Sequence, residues 1–502
     1  MRLTAFALLL ACYPPLANCE VKLPGFFSSH VVLQREMAIH IWGWAAVGEK
    51  VSVSLHGVTR ETAGDSLGDW SVYFPPEVAG GPYQLTVTAS NSIALDDVMI
   101  GDVWFAAGQS NMEMPLKGWP GAPLKDSAAE IAAAANPQIR LLHIPMKVSD
   151  FPLHDAEASW QVCSPETVAD FSAAAYFFGR DLAAREHVPI GLIDDTWGGT
   201  VVEAWMSLDA ISADASLMPL FATRARMMQS QAEVQAILAR EHREDAAAHD
   251  AGKEPPYHPW HPGPASWSPA AIFNGMIAPL TPYGIKGVIW YQGESNSRTA
   301  FAPMYAREFP ALIADWRTHW RQGSFPFIYV QISAFTSVPA EVWAVIREAQ
   351  RRALSVIDTA MVVSIDVGDP TNVHPADKQT IGARLALAAR ALAYGEKVEY
   401  SGPLFRQATV EGDTVRVWFD HAASSLVAKP DVLTGFEVAG EDGNFIPASA
   451  RIDGKTVVAT SAKVPEPKFV RYAWANAPAA TLFNSEGLPA SPFTSEDEIP
   501  PR

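Results

Sequence analysis

The chain has 502 residues, of which 48% are hydrophobic; that is ample for a large core and too long for one compact domain. A formal net charge of −18 at pH 7 repels phosphate backbones and anionic bilayers, which argues against nucleic acid and anionic membrane surfaces as partners. The cysteines are Cys12, Cys19 and Cys163, too few for an internal disulfide framework once the first segment is set aside, so the fold must hold by packing.

Residues 1–19 have the layout of a secretory signal: Arg2, an apolar run Leu3 to Cys12 that is short for a membrane span, and a processing region near Ala17 to Cys19. Leu16-Ala-Asn-Cys19 is also like a lipoprotein processing site, except that Asn18 stands where Gly or Ala is usual; lipid anchoring at Cys19 is the lesser alternative. Export to a periplasm or the extracellular space is expected. No later stretch is apolar for eighteen residues, so no membrane span is expected.

Residues 20–99 alternate apolar and polar side chains, as in Val51-Ser-Val-Ser-Leu and Tyr83-Gln-Leu-Thr-Val-Thr, which predicts a small β-sandwich domain. From 100 to 395 the pattern changes. Short runs that are apolar on both faces (Val103-Trp-Phe-Ala-Ala, Ile190-Gly-Leu-Ile-Asp, Val288-Ile-Trp-Tyr-Gln, Phe327-Ile-Tyr-Val-Gln and Met361-Val-Val-Ser-Ile-Asp) alternate with helical stretches. That is the pattern of an α/β core with a doubly wound parallel sheet. Insertions are expected near 115–166 and 208–267, the second ending in the Pro- and aromatic-rich Pro255 to Pro262. Residues 396–502 return to β patterning and predict a C-terminal β domain.

Ser110 directly follows a core run, in Gly108-Gln-Ser-Asn-Met, at the strand end where open α/β sheets bind ligands. Met112 stands where the nucleophile elbow of α/β-hydrolases has its second glycine. His374 follows the last core run and precedes Pro375 and a helical pattern, Ile381, Leu385, Ala388 and Leu392. A helix N-terminus disfavours imidazolium, so His374 suits a general base. Two more strand-end segments, Trp197-Gly-Gly-Thr and Trp290-Tyr-Gln-Gly-Glu-Ser-Asn, could supply amide donors to an oxyanion. A histidine in its ordinary range predicts a rate rising through about pH 6 to 7.

These segments, in this order, resemble the SGNH hydrolase superfamily, and more closely the sialate O-acetylesterases. The similar blocks are Ala107-Gly-Gln-Ser-Asn-Met-Glu, Trp197-Gly-Gly-Thr with Glu203-Ala-Trp, Phe273-Asn-Gly-Met-Ile-Ala-Pro-Leu, Trp290-Tyr-Gln-Gly-Glu-Ser-Asn, and His374-Pro with Lys378 and Gly382. The resemblance implies a flavodoxin-like SGNH core with accessory β domains and hydrolysis of sugar acetyl esters through an acetyl-enzyme. Ser110 would be the nucleophile and His374 the base. The Ser110 amide, Gly199 and Gln292 would form the oxyanion hole, with Gly198 and Asn296 as rivals. Trp197, Glu294 and Asn296 would contact substrate. No metal or organic cofactor is implied.

The superfamily often places Asp three residues before its histidine, where this chain has Thr371; Asp366 is the expected substitute, ahead of Asp369, Asn372 or a backbone carbonyl. The expected partner is an O-acetylated oligosaccharide or sialic acid, with acetylated hemicellulose such as xyloglucan as the alternative. A rival of another class is a non-catalytic carbohydrate-binding protein. Trp119, Trp205, Tyr257, Trp260 and Trp267 are candidates for stacking on sugar rings, and His258 with His261 is a weak metal-like pair.

Overall fold

The computed structural model describes residues 20–499 except 222–230, 254, 257, 259–265, 300, 339 and 340. The signal segment, Tyr257, Trp260 and His261 therefore lie outside the described residues.

The organising element is one strand, Ser92–Gly108, seventeen residues long. Its first residues alternate exposed and buried, and from Val98 onward every residue is buried. The change marks where the strand leaves a half-solvated β layer and enters a sheet covered on both faces. The early half pairs antiparallel with Gly80–Thr88 and parallel with Val32–Gln34. The late half pairs parallel with Ile190–Thr196 on one side and Gly287–Tyr291 on the other.

Beyond Gly287–Tyr291 come Phe327–Val330 and Thr359–Val362, again parallel. The strand order thus reverses at Ser92–Gly108, which places a ligand crevice at the carboxyl ends of the central strands. Helices Ala173–Glu186, Ala302–Trp320, Trp343–Arg352 and Lys378–Leu392 supply the α component of this α/β core.

Residues 115–166 are not simply an insertion. Asn136–His143 joins the central sheet in parallel beside Ile190–Thr196, and Gln161–Cys163 adds an antiparallel edge. Pro137 and Arg140 obscure the pattern: Arg140 is buried, yet its guanidinium reaches Asp97 at 2.9 Å. In the second region, Leu208–Ala213 and Gln231–Asp250 are helical.

The N-terminal strands share one continuous apolar core with the α/β layer, whereas Val415 to Phe493 form a separate cluster. Arg35 ties the N-terminal strands down through Asp102, donating at 2.8 and 3.0 Å. Buried Arg347 joins the C-terminal region to the core by donating to the carbonyls of Ile332, Ser333, Ala475 and Asn476. No helix among the described residues is long and apolar enough to cross a membrane.

Candidate active site

Gly108 ends the central strand with φ 136°, and a Cβ there would stand 2.2 Å from the carbonyl of Tyr291. Only glycine allows this approach, so the chain turns sharply and presents Ser110 as the first residue of the short helix Ser110–Glu113. His374 arrives from the far side of the sheet, after Thr359–Val362 and just before Lys378–Leu392. Its Nε2 lies 2.9 Å from Ser110 Oγ. For the hydroxyl to donate, Nε2 must be the unprotonated nitrogen, so Nδ1 carries the proton. Trp119 meets the imidazole edge-on at 5.0 Å. Two residues 264 apart in the chain thus share one proton at the wall of a cleft of about 780 Å³.

Burial, and then the positive charge of Lys378, hold the His374 imidazole down at about 4. The ring is therefore neutral well below pH 7, and the ordinary range taken from sequence does not apply. The buried Lys378 ammonium donates to Asn111 Oδ1 at 2.6 Å, and Asn111 Nδ2 donates to Glu294 Oε1 at 2.6 Å and to the Val373 carbonyl at 3.0 Å. This chain ties the residue after the nucleophile to the residue before the histidine, fixing both loops.

Asp366 does not orient the imidazole. Its two oxygens accept from Arg384 at 2.7 and 2.6 Å, a bidentate pair that the helix periodicity beyond His374 did not reveal. Asp369 caps Thr371, and Asn372 accepts from the backbone N–H of His374 at 2.9 Å. Among the described residues no carboxylate lies within 4 Å of the His374 ring, so the geometry is a Ser–His dyad.

The amide donors differ from expectation at Gln292. Gln292 is buried, donating to Asn296 Oδ1 at 2.7 Å and to the Thr200 carbonyl at 3.2 Å, while its Oε1 accepts from Tyr305 at 3.1 Å. Asn296, also fully buried, donates to Glu203 and Glu308. Neither side chain lines the cleft. They knit the loop from beneath because a buried amide must satisfy both ends.

Gly198 donates its N–H to Glu113, and a Cβ on it would meet Glu113 at 2.7 Å and Ser110 Cβ at 3.3 Å. Gly199, at φ 70°, keeps its N–H without a partner among the described residues, as does Ser110. Gln109 is a further cleft residue that no sequence pattern marks. Its Oε1 accepts from the N–H of Ser295 at 3.2 Å, which fixes the amide orientation and leaves Nε2 unpaired among the described residues at the cleft. Among the described residues, the amides of the cleft lining that keep an unpaired N–H thus include Ser110, Gly199 and Gln109 Nε2.

Trp197 and Glu294 line the cleft, together with Trp119, Trp267 and Trp343. Burial raises the Glu294 carboxyl above its usual range, and its Oε2 has no hydrogen-bond partner among the described residues. Trp205 is wholly buried, with its indole N–H on Thr200, and belongs to the core. His258 pairs with Asp245 at 2.8 Å.

Residues 260–391 match the family described as carbohydrate esterase, sialic acid-specific acetylesterase. The chain is 31% identical to human sialate O-acetylesterase over 77% of this chain and 74% of that protein. It belongs to the sialate O-acetylesterase family. The rat sialate O-acetylesterase is 29% identical over 95% of both chains. Among solved structures, a carbohydrate acetylesterase from Xanthomonas citri superimposes with a TM-score of 0.82 at 34% identity, covering 95% of this chain and 100% of that one. This family member carries its hydroxyl–imidazole pair where the segments that resemble the family converge.

Proposed function

We propose that this chain is a serine esterase that hydrolyses O-acetyl esters on carbohydrates through an acetyl-enzyme. The observation that carries this reading is the 2.9 Å contact between Ser110 Oγ and a buried, neutral His374 beside amides that have no partner among the described residues. Ser110 Oγ attacks the acetyl carbonyl as His374 Nε2 takes its proton. The N–H groups of Ser110 and Gly199, with Gln109 Nε2, receive the developing oxyanion. On collapse the imidazolium returns its proton to the departing sugar oxygen. Water then attacks the acetyl-serine, again losing a proton to His374, and acetate leaves with Ser110 restored.

Trp119 and Trp197, both partly exposed, offer flat faces for sugar rings, while Trp267 and Trp343 are buried in the cleft wall; the cleft is open enough for more than an isolated acetyl group. Family membership favours O-acetylated sialic acid. The similarity to the Xanthomonas citri carbohydrate acetylesterase leaves room for other acetylated carbohydrates, and acetylated hemicellulose such as xyloglucan is our second reading. We read residues 1–19 as an export signal, which mass spectrometry of the mature N-terminus would test. Acetate release from O-acetylated sialic acid, xyloglucan, xylan and pectin tests the function. Ser110→Ala should abolish it in a protein that remains folded. Unchanged release by Ser110→Ala, or none by the wild type on any of these substrates, would reject the proposal.

A further inference from the structure

The cleft carries a charge pattern that the chemistry of ester hydrolysis does not require. Arg298 lines the same cleft as Ser110 and His374, and among the described lining residues it is the one permanent cation. Its guanidinium packs against the face of Trp267, 5.9 Å from the ring centroid. Its backbone is bridged to Glu341. Among the described residues, no carboxylate lies within 4 Å of its guanidinium and none of its side-chain N–H groups has a hydrogen-bond acceptor.

The three carboxylates of the cleft are engaged elsewhere. Glu113 accepts from Gly198, Glu294 from Asn111, and Glu341 from Ser337 and from the Trp343 indole at 3.2 Å. In a chain of net charge −18 whose described arginines are mostly hydrogen-bonded or ion-paired, such as Arg35, Arg180, Arg384 and Arg471, an arginine held open at the reaction site is conspicuous. A planar guanidinium with unmatched donors, held in place against the buried Trp267 ring, suits bidentate recognition of a carboxylate.

We propose that Arg298 reads a carboxylate on the substrate, so that the cleft selects acetylated sugar acids over neutral acetylated sugars. This rests on the acetylesterase reading of the cleft and specifies its substrate. The sugar acid could be a nonulosonic acid or a hexuronic acid, since both present the same anion.

Two measurements separate the claims. The first is kcat/KM for acetate release from O-acetylated N-acetylneuraminic acid, acetylated pectin oligomers and neutral acetylated xylo-oligosaccharides. Arg298→Gln should lower the ratio of acidic to neutral substrate by about 10- to 100-fold, the range for losing a charge-assisted hydrogen bond, chiefly through KM. Arg298→Lys should restore part of it, and the wild-type KM for the acid should rise with salt. Which acid loses more identifies the source.

The second is calorimetric binding of unacetylated N-acetylneuraminic acid, galacturonic acid oligomers and xylo-oligosaccharides to Ser110→Ala, with and without Arg298→Gln, which needs no turnover. Loss of sugar-acid binding on removing Arg298 supports the proposal even if catalysis is absent. An unchanged acid-to-neutral ratio, or binding of both acids that ignores Arg298, would overturn it. No acetate release from any sugar by the wild type would instead refute the underlying function.

Discussion

The acid limb of the pH profile is where the structure departs most from ordinary histidine chemistry. Burial first, and Lys378 second, hold His374 at about 4 instead of 6.5. At pH 5 a base of pKa 4 is about 90% neutral, whereas one of pKa 6.5 is about 3% neutral, a difference of about 30-fold in competent enzyme. We therefore expect kcat/KM for p-nitrophenyl acetate to be flat with respect to His374 from about pH 5.5 to 8, with its acid limb near 4. Lys378→Met removes the second cause and leaves the first, so the limb should move up yet stay below 6.5.

The same displacement affects stability. The folded value lies below the unfolded one, so the unfolded chain binds the extra proton between pH 6.5 and 4. The associated stability is fully present above about pH 6.5 and is lost as pH falls toward 4, by at most about 3 kcal/mol. A limb centred at 6 to 7, unmoved by Lys378→Met, would refute this account of the buried imidazole.

Four other outcomes follow from the geometry. Asp366→Asn breaks a partly buried bidentate pair with Arg384 and should cost about 1 to 3 kcal/mol in urea unfolding, while kcat falls less than about tenfold; a loss as large as that of His374→Ala would restore Asp366 to the catalytic unit. Gly108→Ala forces a side chain into the Tyr291 carbonyl at positive φ, so kcat should drop at least about 100-fold or the protein should fail to accumulate; activity near wild type would show that the turn can relax. Gln109→Ala should lower kcat by about 10- to 1000-fold with little change in KM for small esters, as for other oxyanion donors, whereas a pure KM effect would remove it from that role. Gln292→Leu strands buried partners on Asn296, Thr200 and Tyr305, and should show chiefly as a loss of about 2 kcal/mol or more in denaturation rather than as a change in kcat per folded molecule.

Much of this architecture was legible because burial on both faces leaves a plain signature. The runs at Val103, Ile190, Val288, Phe327 and Met361 all fall in or at strands of the central sheet, and the glycine turn after the first one displays Ser110. Asn136–His143 escaped because Arg140 and Pro137 interrupt its apolar run, and only the distant Asp97 explains how that arginine can be buried. The site shows the same division. Ser110 sits at a strand end, where chain order places it; His374 lies in the loop between Thr359–Val362 and Lys378–Leu392, ahead of the helix cap Asp377 and not at the helix N-terminus that Pro375 suggested, so its neutrality comes from burial and Lys378. The fates of Asp366, Gln292 and Asn296 depended on partners up to 94 residues away, Arg384, Thr200 and Val202, that no local pattern connects to them. Arg298 stands out only once its neighbours' hydrogen bonds are known.

The most direct test of the Ser110–His374 pair is covalent trapping. An organophosphonate that mimics the tetrahedral acetyl intermediate is incubated with the wild type, Ser110→Ala and His374→Ala, and the labelled peptide is located by mass spectrometry. The mass increment should fall on Ser110 alone, vanish in Ser110→Ala, and form at least about 100-fold more slowly in His374→Ala. Labelling of a different residue with concurrent loss of activity, or labelling of Ser110 at an undiminished rate without His374, would contradict the shared-proton mechanism.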